Sequence, residues 1–503
     1  PGKVIITGES ALLLSGSYLY VDGLSFINGS TPEEAVISFR NAVRGKVASH
    51  SRVTNCVVDN FGLKDRWKSD NYVALWGKHN RVDHNYFGDK KNLGVTLVVY
   101  LRGEENWPNH HVIDYNHFGP RERLGSNGGE TIRFGVSETS LNASFTVLEN
   151  NLFEHCNGET EIVSIKSSDN IIRNNLFFES EGSLVLRHGN RNQVEGNVFI
   201  GNFKPYTGGI RLVNYGHKIT GNLLVGLTGD GFRAPLSIMC GLENSPLNRY
   251  EPVRDVLIDG NIWMACSNGW DIGVPFTRRD TEGDFVLPTD VTVSNNIVWQ
   301  NHDLPLVNYI TGKARLNWVN NITNASFQSV EFSRDGFSLE QISNITLPNA
   351  DNNSDDTSLC KIKDVFGNVS ANRFGPAYKS VSGESLMSQT ILVAPGKNAL
   401  ANAVHLAADH ESSTLILIDG ANYEVNSTIA LTGGLKVVSS SWMAGQRMHP
   451  ALMNENERFN MPNILPASNF QGDALFSVAG MSDVEFSGVS MRGSHIDARQ
   501  SVR

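Results

Sequence analysis

The chain has 503 residues, a formal net charge of −10, 19% charged residues and 47 glycines. That length exceeds one ordinary domain, and the acidic balance argues against a general nucleic-acid or anionic-membrane binder while leaving room for a local basic groove. Five scattered cysteines with no C-x-x-C pair argue against a zinc or disulfide framework, and no apolar run approaches the ~18 residues of a membrane span.

The chain opens on PGKVIITG, which is already strand-like and suggests that a natural N-terminus has been removed. Short β runs follow, and then a phrase recurs in which Asn precedes apolar or aromatic residues. It stands at Asn85, Asn116, Asn151, Asn175, Asn197, Asn222, Asn261 and Asn296. The three shortest gaps are 24, 22 and 25 residues, and the longer ones read as the same unit with a loop inserted. A period of that size without helical periodicity predicts an all-β chain, a parallel β-helix (solenoid). A propeller is the competing architecture, but its blades need ~40–45 residues. The recurrent Asn is expected at a tight corner, either in the left-handed region itself or in a side-chain ladder.

The rhythm fades after about residue 300. Residues 1–375 are assigned to the β-helix, 376–388 to a linker, and 389–503 to a second β-helix-like domain that stops without a cap. Leu400, Ala403, Val404 and Ala407 fall at helical spacing and predict a short capping helix there.

The candidate chemistry lies between Gly158 and Gly189. Glu159 and Glu161 are two apart and share a face in a strand, with Lys166 after them and then Arg187 and His188. Lys166 and Arg187 are 21 residues apart, one turn of the solenoid, and Arg211 follows one turn later. With Arg133 they are expected to form one vertical basic stripe, which is either a ligand groove or a solvated face. Two carboxylates with the Asn127 amide make a hard-oxygen set suited to Ca²⁺. Salt bridging of both glutamates to the arginines is the rival reading, and a glycosidase-type carboxylate pair is a third. A cation, a Lys and an Arg in one groove suit β-elimination on a uronate: the C5 proton leaves, its carboxylate charge is neutralised and the 4-O group departs. A pair of Tyr215 with His188 or His217 is an alternative acid–base arrangement. His110 and His111 read as surface loop. Trp107, Trp263, Trp270 and Trp299 read as core or rim more than as a sugar groove.

In NGGETIRFG (127–135), ETEIVSIKSS (159–168) and GSLVLRHGN (182–190) the chain resembles polysaccharide lyase family six, the alginate lyases and chondroitinase B. The resemblance covers about residues 1–375 and implies a right-handed parallel β-helix and a lyase. It implies Lys166 as base, Arg187 as acid, Ca²⁺ on Asn127, Glu159 and Glu161, and a substrate groove with Arg133, His188, Arg211, Tyr215 and Glu130. The second β-helix and the NGGETIR phrasing favour alginate over dermatan sulfate as the anionic polysaccharide substrate. A non-catalytic polysaccharide-binding β-helix is the third functional reading. The resemblance also implies a secreted or periplasmic bacterial enzyme, with no nucleic-acid or membrane partner, and leaves a homodimer open. The family's opening cap and first coil have no counterpart at the start of this chain.

Overall fold

The computed structural model describes residues 4–41, 46–276, 285–300, 304–323, 337–339, 374–376, 388–393, 396–407, 412–417, 421–431, 434–439, 462–478, 484–487 and 489–491. Those residues fall into two compact units, one ending with 374–376 and the other beginning at 388. Most of the expected linker, residues 377–387, lies outside the described residues, as does Cys360.

The first unit is a parallel β-helix. Among the described residues its strands form three long sheets of 13, 11 and 11 strands, and successive coils add one parallel strand to each. The sheet that carries the candidate site includes Leu97–Val99, Ile132–Phe134, Glu161–Lys166, Gly182–His188, Thr207–Leu212 and Leu236–Met239, stacked in that order. Alternation along these strands sends Ile132, Phe134, Val163, Ile165, Leu184, Leu186, Ile210 and Leu212 into the core. The intervening residues of the same strands therefore face outward.

The recurrent Asn is the internal spine. The N–H of Asn116 donates to Asn151 Oδ1 at 2.9 Å, and that of Asn151 donates to Asn175 Oδ1 at 3.0 Å. The ladder continues through Asn197, Asn222, Asn261 and Asn296 to Asn321. Each side-chain amide also donates to a carbonyl of the coil before, as Asn175 Nδ2 does to Leu148 O at 2.9 Å. A buried corner thereby satisfies backbone groups that would otherwise cost about 1–3 kcal/mol each. The left-handed residue is not the Asn itself but its predecessor: Asn150, Asn174, Gly196, Gly221 and Gly260 all have positive φ. Beside this spine Phe118, Phe153, Phe177 and Phe199 stack at 4.9, 4.6 and 4.4 Å between ring centres.

A second ladder corrects the surface-loop reading of the adjacent histidines. His111 is fully buried, and its Nδ1 accepts the Asn80 N–H at 3.1 Å. His217 stands likewise at Asn192, with its Nδ1 accepting that N–H at 3.2 Å and its other ring nitrogen 2.9 Å from Val213 O. Only His110 faces outward, stacked between His79 and Phe145. Trp263, Trp270 and Trp299 are buried, whereas Trp107 is exposed.

The second unit also has parallel coils, in two four-stranded sheets. Its helix Ala399–Ala407 buries Leu400, Ala403, Val404 and Ala407 against strands of the same unit, matching the helical spacing.

Candidate active site

The site is built on the outward face of the sheet through Ile132–Phe134, Glu161–Lys166, Gly182–His188 and Thr207–Leu212. Strand register does not give the single stripe expected from spacing. Arg133 pairs with Ser164, Ser164 with Val185, and Val185 with Arg211, so the two arginines share one row with Ser164 and Val185 between them. A register shift between Ile165 and Lys166 sets Lys166 opposite His188, with Arg187 one residue earlier. Lys166 and Arg187 thus stand on neighbouring strands, two residues beyond that row. Irregularities of this kind re-aim a side chain, and the spacing of charges gives no sign of them.

Three carboxylates meet beside these cations. Glu130, Glu159 and Glu161 each offer an oxygen, and these atoms lie within 4.8 Å of one another. The preceding glycines make this approach possible: a Cβ on Gly129 would stand 2.5 Å from Gly158 O, and one on Gly158 would stand 2.1 Å from Gly129 O. Beneath them the buried Arg121 guanidinium donates to Glu130 O at 2.8 Å and to Gly94 O at 2.8 Å, tying the strand start to the coil before. Glu130, expected in the substrate groove, stands in the carboxylate cluster.

The two glutamates expected to act together have different surroundings. Glu161 is paired with Arg211, stands 3.6 Å from Arg187 Nε and accepts the Ser164 hydroxyl at 2.5 Å. Burial alone would push its carboxyl up, but Arg211, Arg187 and Lys166 together hold it below the ordinary range. Glu159 accepts the Gly128 N–H and sits beside two other carboxylates, so burial first, and the charges of Glu130 and Glu161 second, raise it to about 8. Glu161 is therefore salt-bridged to the arginines while still offering an oxygen to the carboxylate cluster, and Glu159, with no such cationic pairing among the described residues, has the surroundings of a ligand to a cation. Among the described residues Glu130 Oε2 is buried without a hydrogen-bond partner, as are Arg133 Nε, Arg187 Nη1 and Arg211 Nε. A buried acceptor among three carboxylates and orphaned donors on three arginines fit a hard cation and an anionic ligand.

Lys166 Nζ and Arg133 Nη1 each stand 3.9 Å from Glu130 Oε1. His188 is buried, and burial, then Arg187 and Lys166, lower it to about 3, which keeps its ring neutral. Asn127 is exposed and lines an open cleft of about 440 Å³ together with Glu159. Tyr215 is not brought to the cluster by any contact among the described residues; its ring lies 4.2 Å from the Arg254 guanidinium. The tyrosine at Arg187 is Tyr250, with ring centre and guanidinium carbon 4.1 Å apart. Tyr250 comes from the long connection between Gly241–Leu242 and Val256–Asp259, where no repeat announces it. His217, with both ring nitrogens engaged in the ladder, is unavailable as an acid–base partner.

A cationic face with an acidic centre, laid along stacked coils, suits an extended anionic polymer running across the strands, and it defines a β-helical protein that handles such polymers. The chondroitinase B family model matches residues 1–363. The structure of the family six alginate lyase AlyGC is similar at 33% identity and a TM-score of 0.70, covering 100% of this chain and 68% of that one. A mannuronic-acid-specific family six lyase from human gut microbiota is 29% identical with a TM-score of 0.63, covering 75% of this chain and 83% of that one. A family six alginate lyase solved with a trisaccharide, at 22% identity and a TM-score of 0.64, shares the fold. No curated protein matches the chain. The chain belongs to polysaccharide lyase family six and is homologous to its alginate lyases.

Proposed function

We propose that the protein is an alginate lyase that cleaves polyuronate by β-elimination, with Lys166 as base and Arg187 as acid. The observation that carries this reading is the convergence of Lys166, Arg187 and Arg211 on a three-carboxylate cluster at one outward face. Asn127, Glu159 and Glu161, with Glu130 added by the geometry, would hold Ca²⁺ through hard oxygen donors. The bound ion would neutralise the uronate carboxylate, which makes the C5 proton more acidic.

The residues of the chain carry the remaining steps. The Lys166 amine takes the C5 proton, and the electron pair left on carbon forms the C4–C5 double bond as the C4–O bond breaks. Arg187, held between Glu161 and the Tyr250 ring, donates to the departing glycosidic oxygen. Partly exposed Arg133 binds substrate oxygens, buried Arg211 holds Glu161 in place, and neutral His188 lies beside Lys166. The products are an unsaturated uronate at the new non-reducing end and a shortened chain. We further propose secretion or export to the periplasm, where such a polymer is met.

A second reading, a lyase for iduronate-containing dermatan sulfate, is favoured by the family model matched over residues 1–363. Parallel assays on alginate and dermatan sulfate, read by the ultraviolet absorbance of the unsaturated product, separate the two. A rise on alginate alone supports the first reading, and a rise on dermatan sulfate alone replaces it with the second.

A further inference from the structure

The cleft that contains Asn127 and Glu159 extends over residues that the proposed reaction does not use. Its lining includes Arg123, Glu181, Tyr206 and Arg233. Its volume of about 440 Å³ falls in the ~300–1,000 Å³ range of ligand pockets. Tyr206, on the wall of this cleft, is 46% exposed. The guanidinium carbons of Arg123 and Arg233 each lie 4.8 Å from its ring centre.

The two arginines differ in one respect. Arg123 is neutralised by Glu181, with its Nη2 donating to Glu181 Oε1 at 2.9 Å. Arg233 has no carboxylate partner among the described residues. It is set in place by a short 3-10 turn, Gly231–Arg233, whose first N–H donates to Asp271 Oδ2 at 2.7 Å and whose Phe232 ring packs under Arg211. Tyr206 thus holds an uncompensated guanidinium at the wall of an open cleft beside the carboxylate cluster, by a cation–π contact that leaves the N–H edge free.

We propose that Arg233 and Tyr206, with Arg123 buttressed by Glu181, form an additional subsite for the carboxylate of a uronate residue next to the one being cleaved. Arg233 binds the carboxylate, and Tyr206 is a positioning residue that fixes the guanidinium before substrate arrives. The inference rests on the polyuronate reading above and extends it to a second sugar.

The test uses full-length Lys166→Ala protein, which does not consume its ligand, and measures the Kd of a defined hexa-uronate from alginate across a salt series. Adding Arg233→Gln is expected to weaken binding about tenfold, as loss of a charged hydrogen bond does, and to flatten the salt dependence. Arg233→Lys should recover part of the affinity. Tyr206→Ala should mimic Arg233→Gln, while Tyr206→Phe, which keeps the ring, should bind like its parent. Unchanged Kd and salt dependence in both Arg233→Gln and Tyr206→Ala would overturn the subsite. A loss confined to dermatan sulfate oligosaccharides would overturn the carboxylate assignment in favour of a sulfate ester. Failure of the functional reading is distinct, because wild-type protein would then give no unsaturated product from any polyuronate.

Discussion

Glu159 and Glu161 are two residues apart, yet the structure predicts opposite effects on stability when either is neutralised in the absence of metal. Glu161 lies against Arg211, which is buried, and Arg187, which is mostly so. Glu161→Gln leaves two cations without their counter-charge, and removing one member of a buried pair costs about 3–5 kcal/mol. Glu159→Gln removes one of three mutually repelling carboxylates, so in EGTA its unfolding midpoint should equal or exceed that of the wild type. The pH dependence carries the same sign. With its folded carboxyl at about 8, Glu159 binds a proton in the folded state that the unfolded chain releases near its ordinary value of 4.5. Its contribution is therefore full below about pH 4.5 and lost as pH rises toward 8, and Glu159→Gln should flatten that limb. Saturating Ca²⁺ should reverse the order. At a hundred times its Kd it stabilises the wild type by about 2.7 kcal/mol, and Glu159→Gln should gain less. Urea unfolding of the three proteins, with EGTA and with Ca²⁺, measures all of this. If Glu159→Gln destabilises the metal-free protein as much as Glu161→Gln does, the two glutamates play the same structural role and the division drawn here fails.

The ladder gives a second expectation: Asn175→Ala strips partners from the Asn151 N–H and from Leu148 O and should cost about 2–5 kcal/mol in urea unfolding. His217, fully buried and lowered to about 4 chiefly by burial, should make stability fall as pH drops below about 6.5, where only the unfolded ring is protonated. The loss from this group is on the order of 3 kcal/mol near pH 4, and His217→Asn, which restores the ladder's usual residue, should reduce it in acid-dependent thermal melts. Tyr250→Leu should lower kcat roughly tenfold, because it frees Arg187 from its aromatic contact, and should also cost some stability, because Tyr250 is buried with Val213, Met239 and Val274. An unchanged kcat would show that Glu161 alone positions Arg187.

The fold was legible because its repeat is written in one residue. Asn suits a corner where its amide both accepts from one coil and donates to another, so the phrase recurs from coil to coil between Asn85 and Asn296 and fixes the architecture. The spacing of Lys166 and Arg187 likewise placed them on neighbouring strands. The shifts of register around Glu161 and Lys166 left no trace in the spacing, which is why a straight stripe was expected and two offset rows were found. Glu130 joins the carboxylates because Gly129 and Gly158 let two backbones touch, a cue present in the paired motifs GGE and GE but readable only once their coils are known to be adjacent. Tyr250 lies in a non-repeating insertion, and its contact with Arg187 depends on the path of that loop. His111 misled because adjacent histidines imply a polar surface, whereas its ring takes an Asn place in the second ladder.

The central claim is that Lys166 and Arg187 perform β-elimination beside a cation held by the carboxylate cluster. The most direct measurement is the ultraviolet absorbance of unsaturated uronate on adding alginate to wild-type and Lys166→Ala protein, each with and without EGTA. The account predicts a rise with the wild type that EGTA abolishes and Ca²⁺ restores. Lys166→Ala, with unchanged circular dichroism, should be slower by at least the 10²–10⁴ that a general base supplies. Turnover by folded Lys166→Ala at the wild-type rate would contradict the account.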